Sequence, residues 1–348
     1  MKWWARVVVA IFVALVLIPG RSTAEEWKLA RLAFGSGWEA LPAVVAIERG
    51  FFAQEGIVVS GLAATSAEAV LRSVEAGTTD FAVIPQRTLL VMAAFQLPVK
   101  VIAMTSWGTE MELVVPKDET SVKSIADLKG KTIALTAGSE AFPVLIRLLN
   151  KAKLRPGDVT VKYLPAADLV RAFQGPTKVT DAVFESRHFT SALTKTDRGR
   201  VVLAAQDVVR DLGVIAAQPV ITTKAVIDRE PALVQKFVTA WVKALKYIQQ
   251  DPEDSARLLV IFFHRQGSTV PEDLARSWVG MTRYTRYIWT AADVADAEYN
   301  GWALKEGGIF KVQPKLDGYV ESRYAEEALK RLEASSGGSS GGPGPAGR

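Results

Sequence analysis

Two short stretches set small, donor-rich residues just ahead of helical periodicity: Thr65-Ser66 and Gly138-Ser139. A helix start offers free N–H groups and partial positive charge, so it can hold an anion without a lysine. Glycine and serine let an oxyanion come close to the backbone, and Ser36-Gly37 is a third stretch of this kind. Trp38 and Trp107 provide planar faces that can stack on the organic part of a ligand or close over it. Arg87, which follows Gln86, and Arg187 could each clamp a carboxylate or sulfonate bidentately. Glu39, Glu140 and Glu185 pull the other way, because carboxylates beside a ligand repel anions and favour amine or hydroxyl donors. Plainer readings exist for each: Thr65 is a good N-cap, Trp107 could cover a hinge, and glutamate near a helix start complements the dipole.

Other chemistries find little support. The chain has no cysteine, which removes disulfides, thiolate metal sites and cysteine nucleophiles together. Two histidines, His188 and His264, are too few for a histidine-rich metal centre. Gly35-Ser36-Gly37-Trp38-Glu39-Ala40 matches a dinucleotide fingerprint after a strand, but the acid that should end the next strand is missing there. Glu185, Ser186 and His188 lie too close in sequence for a triad whose members converge from separate elements. No G-x-S-x-G elbow, Walker loop, H-E-x-x-H or EF-hand occurs. No catalytic residue, metal or cofactor is therefore expected.

The elements that must position these residues alternate between strand and helix. Strands are expected at 28–34, 57–62, 81–84 and 99–104, and again at 132–135, 159–164, 182–184 and 201–205, with a returning strand at 217–222. Short apolar strands separated by helices predict a parallel sheet with covered faces. Pro42 suits the first turn of a helix, Gly50 its end, and Thr65 with Glu68 a capping box. Residues 231–250 carry one apolar stripe through Leu233, Val234, Phe237, Ala240, Trp241, Ala244, Leu245 and Ile248. Further helices are expected near 252–263, 271–283, 290–306 and 320–333. The chain divides into lobe 1 (25–112 plus 217–334, with the C-terminal helices) and lobe 2 (113–216). It should cross between them near 108–116 and 213–221. Ligands of open α/β sheets bind outside the carboxyl ends of the strands, so two facing lobes predict a hinged cleft.

The 348 residues are 49% hydrophobic and 23% charged, as in a folded globular protein. Residues 1–24 read as a secretory signal peptide: Lys2 and Arg6, then the twelve apolar residues Val7–Ile18, then Ser22-Thr23-Ala24. Twelve apolar residues are short of the ~20 that span a bilayer. Without Lys2, Arg6 and Arg21, the 42 basic residues fall to 39 against 37 acidic, a net of +2. No charge block suits nucleic acid, and no later segment is apolar enough to span a membrane. Residues 335–348 hold six Gly, four Ser and two Pro, and are expected to be a flexible tail.

Several motifs, in order, resemble one family. Leu41-Pro42-Ala43 and Glu48-Arg49-Gly50-Phe51-Phe52 through Gly56-Ile57 resemble its "G-F-F…E-G-L/I" turn. Ala76-Gly77-Thr78-Thr79-Asp80-Phe81-Ala82 resembles its "A-G-x-x-D-x-A/G" step. Asp127-Leu128-Lys129-Gly130-Lys131 matches "D-L-K-G-K", and Asp181-Ala182 resembles its second-lobe "D-A". Over residues 28–250 the chain is similar to solute-binding proteins of ABC importers for sulfonates, taurine, nitrate, bicarbonate and thiamine precursors. The resemblance implies a type II periplasmic-binding fold and a non-enzymatic, periplasmic, monomeric receptor. It would hand a small ligand, anionic or zwitterionic and sulfonate- or carboxylate-like, to an inner-membrane ABC permease. Gln174–Val179 and Glu185–His188 depart from the family pattern, which leaves the ligand open. The alternatives are an enzyme on the same bilobal scaffold, acting on a pyrimidine-like or phosphate-ester substrate, and a sensor or scaffold module.

Overall fold

A computed structural model describes residues 27–35, 38–64, 67–108, 110–169, 171–173, 180–213, 217–267 and 269–337. The expected signal peptide lies outside these residues, as do Ser36, Gly37, Thr65 and Ser66.

The first half of the chain runs β1 (Lys28–Gly35), α1 (Leu41–Glu48), α2 (Phe51–Gln54), β2 (Ile57–Ala64), α3 (Ala67–Glu75), β3 (Phe81–Val83), α4 (Gln86–Ala94) and β4 (Val99–Ser106). The second lobe follows as β5 (Met111–Pro116), β6 (Thr132–Leu135), α5 (Ala141–Lys151), β7 (Thr160–Tyr163), α6 (Ala166–Leu169), β8 (Ala182–Ser186), α7 (Arg187–Lys195), β9 (Gly199–Leu203) and α8 (Ala205–Leu212). The chain then returns as β10 (Gln218–Thr223) and ends in α9 (Lys224–Arg229), α10 (Pro231–Gln250), α11 (Pro252–Arg265), α12 (Glu272–Met281), α13 (Ala291–Glu306) and α14 (Arg323–Gly337).

The strands form two five-stranded sheets of matching order, β2-β1-β3-β10-β4 and β7-β6-β8-β5-β9. Neither is the all-parallel sheet expected from sequence. β10 runs antiparallel to β3 and β4, and β5 antiparallel to β8 and β9. The reason is the crossing itself. β1, β3, β6 and β8 end at the cleft, whereas a strand entered from the other lobe starts there and must run the opposite way. β5 is a further difference, since residues 108–116 were expected only to connect the lobes. Its six residues are all buried and occupy an interior position in the second sheet, which therefore begins earlier than residue 113.

Smaller differences have local causes. Gly50 does end α1, and its φ of 67° is open to glycine without strain. The chain then makes one more helical turn, α2. α14 continues to Gly337, into the stretch expected to be a tail.

Helix α10 forms the core of lobe 1. The whole expected stripe is buried, and Phe237 stacks on Phe81 of β3 at 3.8 Å between ring centres and 5° between planes. Trp241, fully buried, donates Nε1–H to the Met104 carbonyl at 3.1 Å. α11 and α14 pack around α10, and α12 packs on α11. α13 differs in packing against both α4 of lobe 1 and α5 of lobe 2. Among the described residues no helix is long and apolar enough to cross a membrane.

Candidate functional site

A cavity of about 230 Å³ lies where the tips of the two sheets face each other. Lobe 1 contributes Glu39, the end of β3 with Ile84 and Pro85, and Ser106 and Trp107 after β4. Lobe 2 contributes Glu110 and Met111 at the start of β5, the Gly138–Glu140 loop after β6, and Glu185, Ser186 and Phe189. Gln218 and Thr282 complete the wall. A hollow of about 260 Å³ elsewhere, between α11 and α12, is a notch among charged side chains already paired with one another, such as Arg276 with Glu253 and Glu272.

The cleft brings together Glu39, Trp107, Gly138, Ser139, Glu140 and Glu185 from the sequence-derived candidates. Trp38 sits in a 3-10 turn, Trp38–Ala40, and its side chain lies outside what is described. Trp107 is held from outside the cavity. Its Nε1–H donates to Thr285 Oγ1 at 2.9 Å, and the Arg283 and Arg286 guanidinium groups lie 5.1 and 5.5 Å from its ring centre.

Among the described residues four carboxylates line the cavity, and no lysine or arginine does. Glu185, 1% exposed, organises the loop after β6: its Oε2 accepts from Thr136 N–H and from Ser139 Oγ–H, both at 3.0 Å. Its Oε1 accepts from Ser186 N–H at 2.9 Å. Burial pushes its pKa up, against the pull of these donors. Ser139 Oγ also accepts from Ala141 N–H at 3.2 Å, so the hydroxyl expected to meet an oxyanion is committed to the protein. Glu110 is paired with Arg187 at 2.7 Å; burial nonetheless raises its pKa.

Glu140 reaches across the cleft. Its Oε1 accepts the backbone N–H of Arg87, in the first turn of α4, at 2.7 Å. The residue as a whole is half-buried, yet its Oε2 is closed to solvent and has no hydrogen-bond partner among the described residues. Burial pushes its pKa up to about 7, opposed by the Arg87 N–H and charge and aided by Asp296 and Glu185. Arg87 closes a second bridge by donating Nη1–H to the Gly138 carbonyl at 3.2 Å. Gly138 has a φ of 81°, and an added Cβ would stand 3.1 Å from that same Nη1.

The two arginines expected to clamp an anion are thus occupied by protein acceptors and stand outside the lining. Arg187 is turned to Glu110 and Met281. Gln86 is buried away from the cleft, where its Oε1 accepts from Asn300 Nδ2–H at 2.6 Å. Asn300 in turn accepts from Arg147 of α5 at 2.8 Å, and Arg147 bonds Asp296 at 2.7 Å. Sequence reasoning missed Glu110, Met111 and Phe189. The run Met111–Val115, apolar apart from Glu112, was the available sign of a strand whose first residues would reach the cleft. Nothing local marks Thr282 or Gln218. Among the described residues no group of histidines and carboxylates is arranged to hold a metal ion.

Two sheets of matching order, each with one antiparallel strand that enters from the other lobe, define the periplasmic-binding-protein fold. The structure resembles the periplasmic aliphatic sulphonate binding protein SsuA of Escherichia coli, with a TM-score of 0.73 and 18% identity over 85% of this chain and 92% of that one. It also resembles the alkanesulfonate-binding protein of Xanthomonas axonopodis pv. citri bound to MOPS, with a TM-score of 0.68 and 18% identity over 86% and 100% of the two chains. In sequence, a Brucella abortus chain described as a candidate binding protein is 26% identical over 168 residues, 48% of this chain. The chain spans about half (51%) of that relative's length. The pattern of the family described as NMT1/THI5 like matches residues 39–255, and the chain belongs to that family.

Proposed function

We propose that the protein is the exported, non-enzymatic receptor of an ABC-type importer. It captures one small organic solute between its lobes and presents the closed form to an inner-membrane permease. The observation that carries this reading is the cavity of about 230 Å³ walled by both lobes at their strand tips. That volume is below the ~300–1,000 Å³ of drug-sized sites, so the solute is small. The lining is largely apolar between its carboxylates, which suits an organic body. The sulfonate-binding neighbours and the signal-like N-terminus support a periplasmic receptor. Closure is the signal, because a permease can separate loaded from empty receptor only if the two differ in shape.

Four wall carboxylates and two arginines bonded to protein acceptors favour a zwitterion or nitrogen-bearing solute over a bare anion. Native mass spectrometry of the purified protein tests the receptor reading. A small molecule released intact on denaturation is the expected result. A ligand returned with altered mass would favour an enzyme on this scaffold. Scattering profiles that never change with any co-purified or added solute would overturn the reading.

A further inference from the structure

We propose that Glu140 sets the headgroup preference of the cleft: its carboxylate fills the anion seat at the start of α4, and its second oxygen awaits an N–H donor on the solute. The inference rests on the receptor reading above and names the class of solute within it.

The start of α4 is where an anion would be expected. Its N-cap, Pro85, has no side-chain hydroxyl or carboxylate; its carbonyl accepts Thr88 N–H at 2.9 Å and Leu89 N–H at 3.3 Å, and the N–H groups before them need an acceptor from elsewhere. Glu140 of the opposite lobe meets one of them, Arg87 N–H, at 2.7 Å. A second anion at that place would lie against a carboxylate already seated. The remaining atom, Oε2, belongs to a residue of the cavity wall, is closed to solvent and has no hydrogen-bond partner among the described residues, so a solute reaches it by shifting the Gly138–Glu140 loop. A buried acceptor without a donor is costly, and a solute that brings an N–H recovers that cost. Glu185 cannot play this part, because Thr136, Ser139 and Ser186 occupy its oxygens. The solute class is therefore an ammonium, amidinium or amino-substituted ring, or a zwitterion entering amine first. A simple sulfonate, nitrate or sulfate is disfavoured.

Protonation should switch this preference. The groups facing Glu140 are Arg87 on α4, Glu185 on β8 and Asp296 on α13, and the carboxyl titrates at about 7. Above that pH it is an acceptor; below it, it carries a proton and no longer repels an anion.

The test uses two probes that share a phenyl body and differ in headgroup, benzylamine and benzenesulfonate, measured by calorimetry on the intact protein. At pH 8 the wild type should bind the ammonium at least ten-fold more tightly, and Glu140→Gln should remove most of that ratio. In the wild type alone the ratio should shrink several-fold between pH 8 and pH 6, which keeps the test decisive if the variant folds poorly. A wild type that prefers the sulfonate, or a ratio unmoved by both Glu140→Gln and pH, overturns the inference while leaving a receptor in place. Failure of both probes to bind also overturns it, and the receptor reading is then judged separately by what co-purifies.

Discussion

The two lobes are built to one plan and finished differently. Each sheet has the same strand order, and each is stapled by an aspartate just before its third parallel-type strand. In lobe 1 Asp80 Oδ2 accepts Arg31 N–H at 3.0 Å, and in lobe 2 Asp181 Oδ2 accepts Thr132 N–H at 2.8 Å, across the same separation of 49 residues. The displacement along the chain that takes Arg31 to Thr132 and Asp80 to Asp181 also takes Glu39 to Glu140. Two equivalent glutamates thus face one cavity from opposite sides. Their settings differ. The Glu39 carboxylate folds back over Gly35, leaving no room there for a Cβ, whereas Glu140 extends across the cleft to α4. A shared scaffold positions the pair, and local contacts decide which one bridges the lobes.

The lobes also differ in what covers them. Lobe 1 is wrapped by α10, α11 and α14, while lobe 2 meets the C-terminal helices mainly where α5 packs on α13. Arg147, 3% exposed, is the polar centre of that contact, bonded to Asp296, Asn300 and the Leu212 carbonyl, with its guanidinium 4.3 Å from the Tyr299 ring centre. Removing one partner of a buried ion pair strands the other, so Arg147→Ala should cost about 3–5 kcal/mol by urea denaturation. A loss below 1 kcal/mol would show that lobe 2 does not depend on this strut.

Glu140 sharpens the contrast next. Its pKa is raised in the folded state, from 4.5 to about 7, so the native protein binds this proton more tightly than the unfolded chain. The stability it contributes is complete below pH 4.5 and is lost as the pH rises through 7, about 3 kcal/mol in all. Stability measured from pH 4.5 to 8 should fall less steeply in Glu140→Gln by that amount. Identical slopes would place the carboxylate in water.

The two staples come third. Asp80 also takes a two-pronged bond from the Arg31 guanidinium, at 2.9 and 2.7 Å, which holds its carboxyl below the usual range despite burial. Asp80→Asn should therefore cost about 2 kcal/mol, read from the same denaturation curves. No measurable loss would mean that the two-pronged bond adds nothing to the staple. The smallest effect is at the edge of the site: Trp107→Phe, which loses the Thr285 bond, should lower stability by about 1 kcal/mol or less.

Much of the framework was legible along the chain. The stripe from Leu233 to Ile248 repeats at helical spacing, and the Asp80 and Asp181 steps recur in order. Gly138 marks a tight turn before α5. Glu39, Trp107, Gly138, Ser139, Glu140 and Glu185 were expected at the strand tips because carboxyl ends of strands face ligands in such sheets. β5 was not read, because a six-residue apolar run ending in proline looks the same whether it connects lobes or completes a sheet.

The sequence alone therefore determined most of the strands and helices and their alternation, since periodicity and turn chemistry are local. Tertiary structure alone decided the direction of β5 and β10, the burial of Gln86 against Asn300, and the loss of Arg87 and Arg187 to protein acceptors. The bond from Arg87 N–H to Glu140 joins residues 53 apart on different lobes. A contact of that range exists only once both lobes have folded and met.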